Sequence, residues 1–203
     1  MPKIVDPETR RQEVAEAVYR VVARDGLEQA SLRNVAAEAG LAIGSVRHYF
    51  VGHEELMVFA MRALSDRVGK RLLAHVERLG DPAADRRRLT EDLLAELLPL
   101  DENRREETVV WLAFTAAART RPELRPLADE SFDGVRALVR RVLLGIHARG
   151  RLLGGLDLEL ETERFAALLD GLAHDAVSHP DRMPSELIRR VLRRHLDSLV
   201  TAG

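Results

Sequence analysis

Apolar residues recur at helical spacing along the whole chain, and this periodicity restricts the fold more than any other feature. Val14, Val18 and Val21, for example, lie three or four positions apart, as one face of a helix requires. No segment shows the alternation of apolar and polar residues that is typical of half-buried strands. We therefore predict an all-α protein of about nine helices joined by short turns.

Capping and turn residues divide the N-terminal part into three helices. Asp6, which precedes a proline, is a typical helix start, and Gly26 ends this first helix. A second, short helix begins after Ser31 and stops at Gly40, and a third follows after two residues, over 43–50. Two short helices joined by a tight turn and braced by a longer one are typical of a helix-turn-helix, whose second helix enters the major groove of DNA.

The third helix has one apolar and one polar face. Ile43, Val46 and Phe50 fall on one side of a helix that advances about 100° per residue. Glycine on the other side allows close approach to DNA, while hydroxyl, imidazole and guanidinium groups can bond base edges or phosphate oxygens. The residues of this polar face and its flanks are Gly44, Ser45, Arg47, His48 and Tyr49.

The run over 31–56, SLRNVAAEAGLAIGSVRHYFVGHEEL, resembles without gaps the N-terminal signature of the TetR family of transcriptional regulators. The resemblance implies a DNA-binding domain over 1–52 and a helical ligand-sensing and dimerisation domain over 53–203. It also implies a cytoplasmic repressor that binds a palindromic operator as a homodimer and is released by a small-molecule effector. The DNA contacts implied are Ser31, Arg33, Gly44, Ser45, Arg47, His48, Tyr49 and His53.

Four residues depart from this signature. Ala42 stands where a serine or threonine usually caps the third helix, Arg47 replaces a tyrosine, Val51 a proline and His53 a lysine. The missing lysine removes one phosphate contact. His53 near a helix N-terminus, or the added charge of Arg47, offers a substitute for it.

Charge gives no support to DNA binding. The net charge is −2, and residues 1–56 carry seven Lys and Arg against nine Asp and Glu. The DNA-binding hypothesis therefore depends on the placement of residues and on the resemblance. Few aromatic residues also argue against stacking of single-stranded bases.

The C-terminal part resembles more loosely the BetI-type subgroup, at Trp111 with Phe114, at Pro122-Glu123-Leu124 and at Leu169-Asp170-Gly171-Leu172. The resemblance implies an effector pocket with mixed apolar and polar walls. Ordinary core packing is an open alternative for Trp111 and Phe165, and an interface role for His174. The candidate ligand-binding residues are Trp111, Phe114, Thr115, Phe165, Asp170 and His174.

The last helix carries an apolar stripe wider than one neighbour requires, which indicates two packing partners. The helix before it has small residues that allow close approach of another helix. We therefore predict a four-helix dimer interface from 165–178 and 184–200 of each subunit. The candidate interface residues are Ala167, Gly171, the region of Ile188, Val191, Leu192, Leu196 and Leu199.

Sequence motifs give little support to other functions. The chain has no glycine-rich phosphate loop, no Glu-x-x-His pair and no cysteine, and Met57 stands where a zinc protease would need a second histidine after His53. We therefore expect no catalytic residues, no metal and no cofactor.

The N-terminus lacks a basic segment followed by an apolar stretch, and no apolar run is long enough to cross a membrane. The alternatives are a helical interaction or ligand-binding module without DNA binding and, with less support, an enzyme.

Overall fold

The computed structural model describes residues 6–79 and 85–201. Within them, one short antiparallel bridge between Leu152 and Val200 is the only extended pairing, so the all-α prediction is confirmed. Two 3₁₀ turns, Leu27–Gln29 and Pro122–Leu124, accompany the helices. The helices of the described ranges are α1 (Pro7–Asp25), α2 (Leu32–Glu38), α3 (Ile43–Tyr49), α4 (His53–Arg78), α5 (Arg86–Ala95), α6 (Glu102–Ala117), α7 (Arg125–His147), α8 (Leu158–Ser178) and α9 (Ser185–Ser198).

The turn residues at Pro122 and from Gly150 onward predict one helix over 122–149, and the structure divides it. Residues Pro122–Leu124 form a 3₁₀ turn, closed by a 3.1 Å hydrogen bond from the Leu124 amide to the Arg121 carbonyl, and α7 begins at Arg125. Pro126 then lies in the first turn of α7, where a missing N–H costs no helical hydrogen bond. The run Gly80-Asp81-Pro82 predicts the end of the long helix that starts near Glu54, and it lies outside the described residues.

The chain folds as two compact units. The first combines residues up to Arg67 with 109–129, and the second combines 68–108 with the residues from 130 onward. The helices α4, α6 and α7 each contribute residues to both units. The functional boundary between 52 and 53 stays a prediction.

The core of the first unit joins α1, α2, α3 and the N-terminal half of α4. The valines expected on the inner face of α1 are buried, and Met57 and Met61 join Leu56 on the buried face of α4. Tyr19 is buried among them, and its hydroxyl donates a 2.8 Å hydrogen bond to the Ala60 carbonyl. The two short helices, α2 and α3, are held against α1 and α4 through this core.

The second unit has a separate core formed by α5, α7, α8 and α9, with apolar residues from the end of α4 packed against it. Helix α9 packs on both α5 and α8. The wide apolar stripe of α9 therefore has its two partners within the same chain. No helix in the described ranges is both long and apolar enough to cross a membrane.

Candidate nucleic-acid interface

The turn between α2 and α3 is defined by its capping hydrogen bonds. The Ser31 hydroxyl accepts the Asn34 amide at 3.2 Å and so caps the start of α2. At the other end Gly40 has a φ of 67°, and the amides of Gly40 and Leu41 bond the carbonyls of Ala37 and Ala36. This double hydrogen bond is a Schellman turn, which needs glycine at the left-handed position. It sets the direction in which α3 leaves the turn.

Helix α3 has the two faces that its sequence predicts. Val46 and Phe50 are fully buried and Ile43 is half-buried against the first core. The start of α3 has no side-chain cap, because Ala42 has no hydrogen-bonding group. The exposed residues of α3 are Gly44, Ser45, Arg47 and His48.

The remaining predicted DNA contacts lie on both sides of α3. Tyr49 is half-buried, and its ring meets the His48 ring edge to face at 5.2 Å. Arg33 is exposed on α2, while His53 is half-buried as the first residue of α4. Val51 in the loop between α3 and α4 is 98% exposed, an unusual state for a valine.

Acidic groups near this surface are paired with arginines. Arg20 and Arg24 of α1 both bond Glu38 of α2, at 2.7 and 2.9 Å, and their hydrogen bonds lower the pKa of the Glu38 carboxyl. By contrast, Arg33 and Arg47 form no ion pair with any described residue and extend into solvent. Two of the unpaired positive charges of this unit therefore lie on α2 and α3, although the unit as a whole is not basic.

The predicted effector residues divide between the two units. Phe114 is fully buried and Trp111 half-buried in the first core, and the Thr115 hydroxyl donates to the carbonyls of its own helix. Phe165 is fully buried in the second core, in ring contact with His195 at 4.3 Å. Three of the six candidates thus belong to the first unit and three to the second. Their role in binding an effector stays a prediction.

Asp170 and His174 are exposed on α8. Partial desolvation raises the pKa of the Asp170 carboxyl, and the positive charge of Arg136 opposes this effect. His174 lies 3.5 Å from the adjacent Asp175. No cluster of three His, Asp or Glu residues with metal-binding geometry occurs in the described ranges.

The predicted dimer residues fall into two groups. Ala167 and Gly171 are exposed on α8, and Val191 is half-buried on α9. The others pack into the second core against their own chain, and their part in a dimer interface stays a prediction. These residues are Ile188, Leu192, Leu196 and Leu199.

A charged groove lies between α5 and α9 of the second unit, with a volume of about 630 Å³. Each of its arginines has an acidic partner, such as Arg193 with Glu91 at 2.9 Å and Arg189 with Asp92 at 3.7 Å. The arginine run over 86–88 contributes to these pairs, and Arg86 also donates a hydrogen bond to the carbonyl of Leu79, the residue after α4. These arginines therefore belong to an ion-paired surface.

Similarity to known proteins agrees with this architecture. HTH-type transcriptional regulator PksA of Bacillus subtilis is 38% identical over 199 residues, which cover 98% of this chain and 94% of PksA. The crystal structure of a transcriptional regulator from Rhodococcus sp. Rha1 is 31% identical, with a TM-score of 0.80 over 95% of this chain and 98% of that one. The multidrug binding protein EbrR, crystallised with ethidium, is 31% identical, with a TM-score of 0.61 over 92% and 98%.

The helix-turn-helix geometry and these similarities define a DNA-binding transcriptional regulator, and the chain belongs to the TetR family. Within that family, residues 85–201 match the C-terminal domain of BetI-type transcriptional repressors.

Proposed function

We propose that this chain is a repressor that binds a palindromic operator as a homodimer and leaves it when a small molecule binds. The exposed face of α3 carries the proposal: four exposed residues that can approach or bond DNA stand opposite two buried ones. The Schellman turn at Gly40 and the fully buried Val46 hold this face in place.

Direct readout is assigned to the middle of α3. Ser45 and His48 supply groups for base edges, while Gly44 lets the helix backbone come close to the groove. Arg47, exposed and without an ion pair in the described ranges, neutralises a phosphate or bonds guanine. Tyr49, Ser31, Arg33 and His53 are assigned to the phosphates on both sides. Because Ser31 also caps α2, its substitution is expected to affect stability as well as DNA affinity.

A homodimer is needed because one α3 reads only half of an operator. Two recognition helices related by a two-fold axis enter successive major grooves when they lie about 34–36 Å apart. We assign the dimer contact to the exposed side of α8, where Ala167 and Gly171 allow close helix packing, together with Val191 of α9.

Release by an effector requires a ligand that prefers a different spacing of the recognition helices. The 26-residue helix α4 begins after the loop that follows α3, and its later residues belong to the second unit. It is therefore the element that would transmit effector binding to the recognition helix. EbrR binds ethidium, and we accordingly start the search for an effector with small organic cations. Operator DNA must weaken effector binding by the same factor by which the effector weakens DNA binding.

Selection from a pool of random duplexes tests this function. A repressor of this kind enriches a palindrome, with half-sites about one helical turn apart, and binds it with a steep salt dependence. Enrichment of no sequence would refute operator binding. The proposed cytoplasmic location follows from this function, since the operator lies on chromosomal DNA.

A further inference from the structure

Arg11 is a residue of α1 that makes four contacts of three kinds at the end of the recognition helix. Its Nη1 donates a 3.2 Å hydrogen bond to the Tyr49 carbonyl, and its Nη2 lies 3.7 Å from the Glu55 carboxylate. Its Cζ stands 4.7 Å from the ring centre of Phe50 and 4.4 Å from that of Phe59. One guanidinium thus contacts α3, the following loop and α4.

The Tyr49 carbonyl belongs to the last turn of α3, where helix carbonyls have no partner of their own. A cation at this end also interacts favourably with the helix dipole. The two aromatic rings hold the planar guanidinium by cation–π contacts, which an ammonium group with its compact charge makes less well. The hydrogen bond and the stacking therefore orient Arg11 toward one carbonyl.

Glu55 links Arg11 to the loop between α3 and α4. Its Oε2 accepts the Val51 amide at 2.8 Å while its Oε1 faces Arg11. Because α3 has only seven residues and no side-chain cap at its start, it has few local contacts that fix its orientation. The contacts of Arg11 supply that constraint from the opposite end.

We propose that Arg11 is a positioning residue for DNA recognition: its planar group fixes the orientation of α3, and it contacts no DNA itself. This inference rests on the proposed operator binding. It assigns a function to a residue that lies outside the helix-turn-helix and 38 positions from Tyr49 in the sequence.

Hydrogen exchange of the free protein tests the positioning without DNA. Arg11→Met keeps an unbranched side chain about as long as the arginine stem and removes the charge, the donors and the stacking. The amides over 43–51 should exchange about tenfold faster in this variant, with those in the centre of α1 unchanged. Arg10→Met is the control, because among the described residues the Arg10 side chain pairs only with Glu13 of its own helix. Unchanged protection of α3 in Arg11→Met would overturn the proposal.

Operator affinity gives the second measurement. Arg11→Met should bind the selected duplex about tenfold more weakly, with the same dependence on salt as the parent chain, because no phosphate contact is lost. A salt slope reduced by about one would show a direct phosphate contact and overturn the proposal. Arg11→Lys keeps the charge and should restore only part of the affinity. Full restoration would show that the planar group is not required.

The two measurements separate this inference from the proposed function. If the parent chain selects no duplex, operator binding is refuted, while hydrogen exchange still decides whether Arg11 orients α3. If the parent chain selects a palindrome and α3 exchanges alike in both Arg11 variants and the parent, operator binding stands and the role of Arg11 is refuted.

Discussion

The hydroxyl of Tyr19 in α1 donates a 2.8 Å hydrogen bond to the carbonyl of Ala60 in α4, 41 positions along the chain, and both residues are buried. The bond joins the helix that supports the DNA-binding surface to the helix that continues into the second unit. In Tyr19→Phe this carbonyl loses the phenol donor while the ring still fills the core. We expect the free energy of unfolding to fall by about 1–3 kcal/mol, measured by urea denaturation.

Tyr49→Phe is the matched control, since Tyr49 is half-buried and its side chain makes no hydrogen bond to a described residue. Its unfolding free energy should stay within about 0.5 kcal/mol of the parent value. Equal stability of Tyr19→Phe and the parent would contradict the structural role of this hydrogen bond.

The missing cap of α3 provides a second prediction. Ala42 is exposed, with φ −67° and ψ 141°, the extended conformation that a capping residue adopts. Ala42→Ser should therefore stabilise the chain by about 1 kcal/mol, because the hydroxyl accepts an amide at the start of α3. The increase is measured as a shift in the midpoint of urea unfolding. Ala37→Ser, at an exposed position inside α2, should give no gain, and an equal gain there would contradict the capping explanation.

A substitution at Gly44 should change stability and operator affinity in opposite directions. A Cβ at this position would meet no atom of the protein, so Gly44→Ala should raise helix stability by up to about 1 kcal/mol. The same methyl group would face the DNA and should weaken operator binding at least about tenfold, as measured by fluorescence anisotropy. Gly69→Ala in α4 is also free of contacts, and it should stabilise the chain with no loss of affinity. Unchanged operator affinity in Gly44→Ala would remove Gly44 from the interface.

His195 makes the second unit sensitive to acid. Burial beside Phe165 lowers its pKa below the ordinary value of 6.5, the charge of Arg164 adds to this effect, and Glu161 opposes it. Between the lowered and the ordinary pKa the unfolded chain binds more protons than the folded chain, so stability falls as the pH drops below about 6.5. The melting temperature of the parent should therefore fall more between about pH 7.5 and 5.5 than that of His195→Gln.

The control for this prediction is His147→Gln, at an exposed position at the end of α7. It should lose as much stability as the parent over the same pH interval. An equal loss in His195→Gln and the parent would show that the buried imidazole does not contribute.

Local sequence patterns predicted the three N-terminal helices well, because the residues that define each cap, turn and buried face lie close together in the sequence. The cap at Ser31 and the turn at Gly40 are local features, and the apolar spacing of Val46 and Phe50 defines the buried face of α3 without any long-range information. The same reasoning missed Arg11, because a contact between a guanidinium and two rings far along the chain leaves no periodic pattern.

Periodicity was less informative in the second unit. The stripe of α9 predicted two partners, but a stripe does not show whether a partner belongs to the same chain. The structure places α5 on that face, so Leu192 and Leu196 fill the subunit core. The division of the predicted 122–149 helix was missed for a similar reason, since Pro122 is equally compatible with a 3₁₀ turn and with a helix start.

Operator affinity of the double variant Arg47→Ala with His48→Ala decides whether α3 is the recognition helix. Both residues are exposed on α3 and form no ion pair with a described residue, so the fold and the proposed dimer should be preserved, as circular dichroism and sedimentation would show. We expect the double variant to lose at least about 100-fold in affinity for the selected palindrome. Arg62→Ala, exposed on α4, should bind like the parent. A double variant that binds the palindrome as tightly as the parent does would contradict the assignment of α3 as the recognition helix.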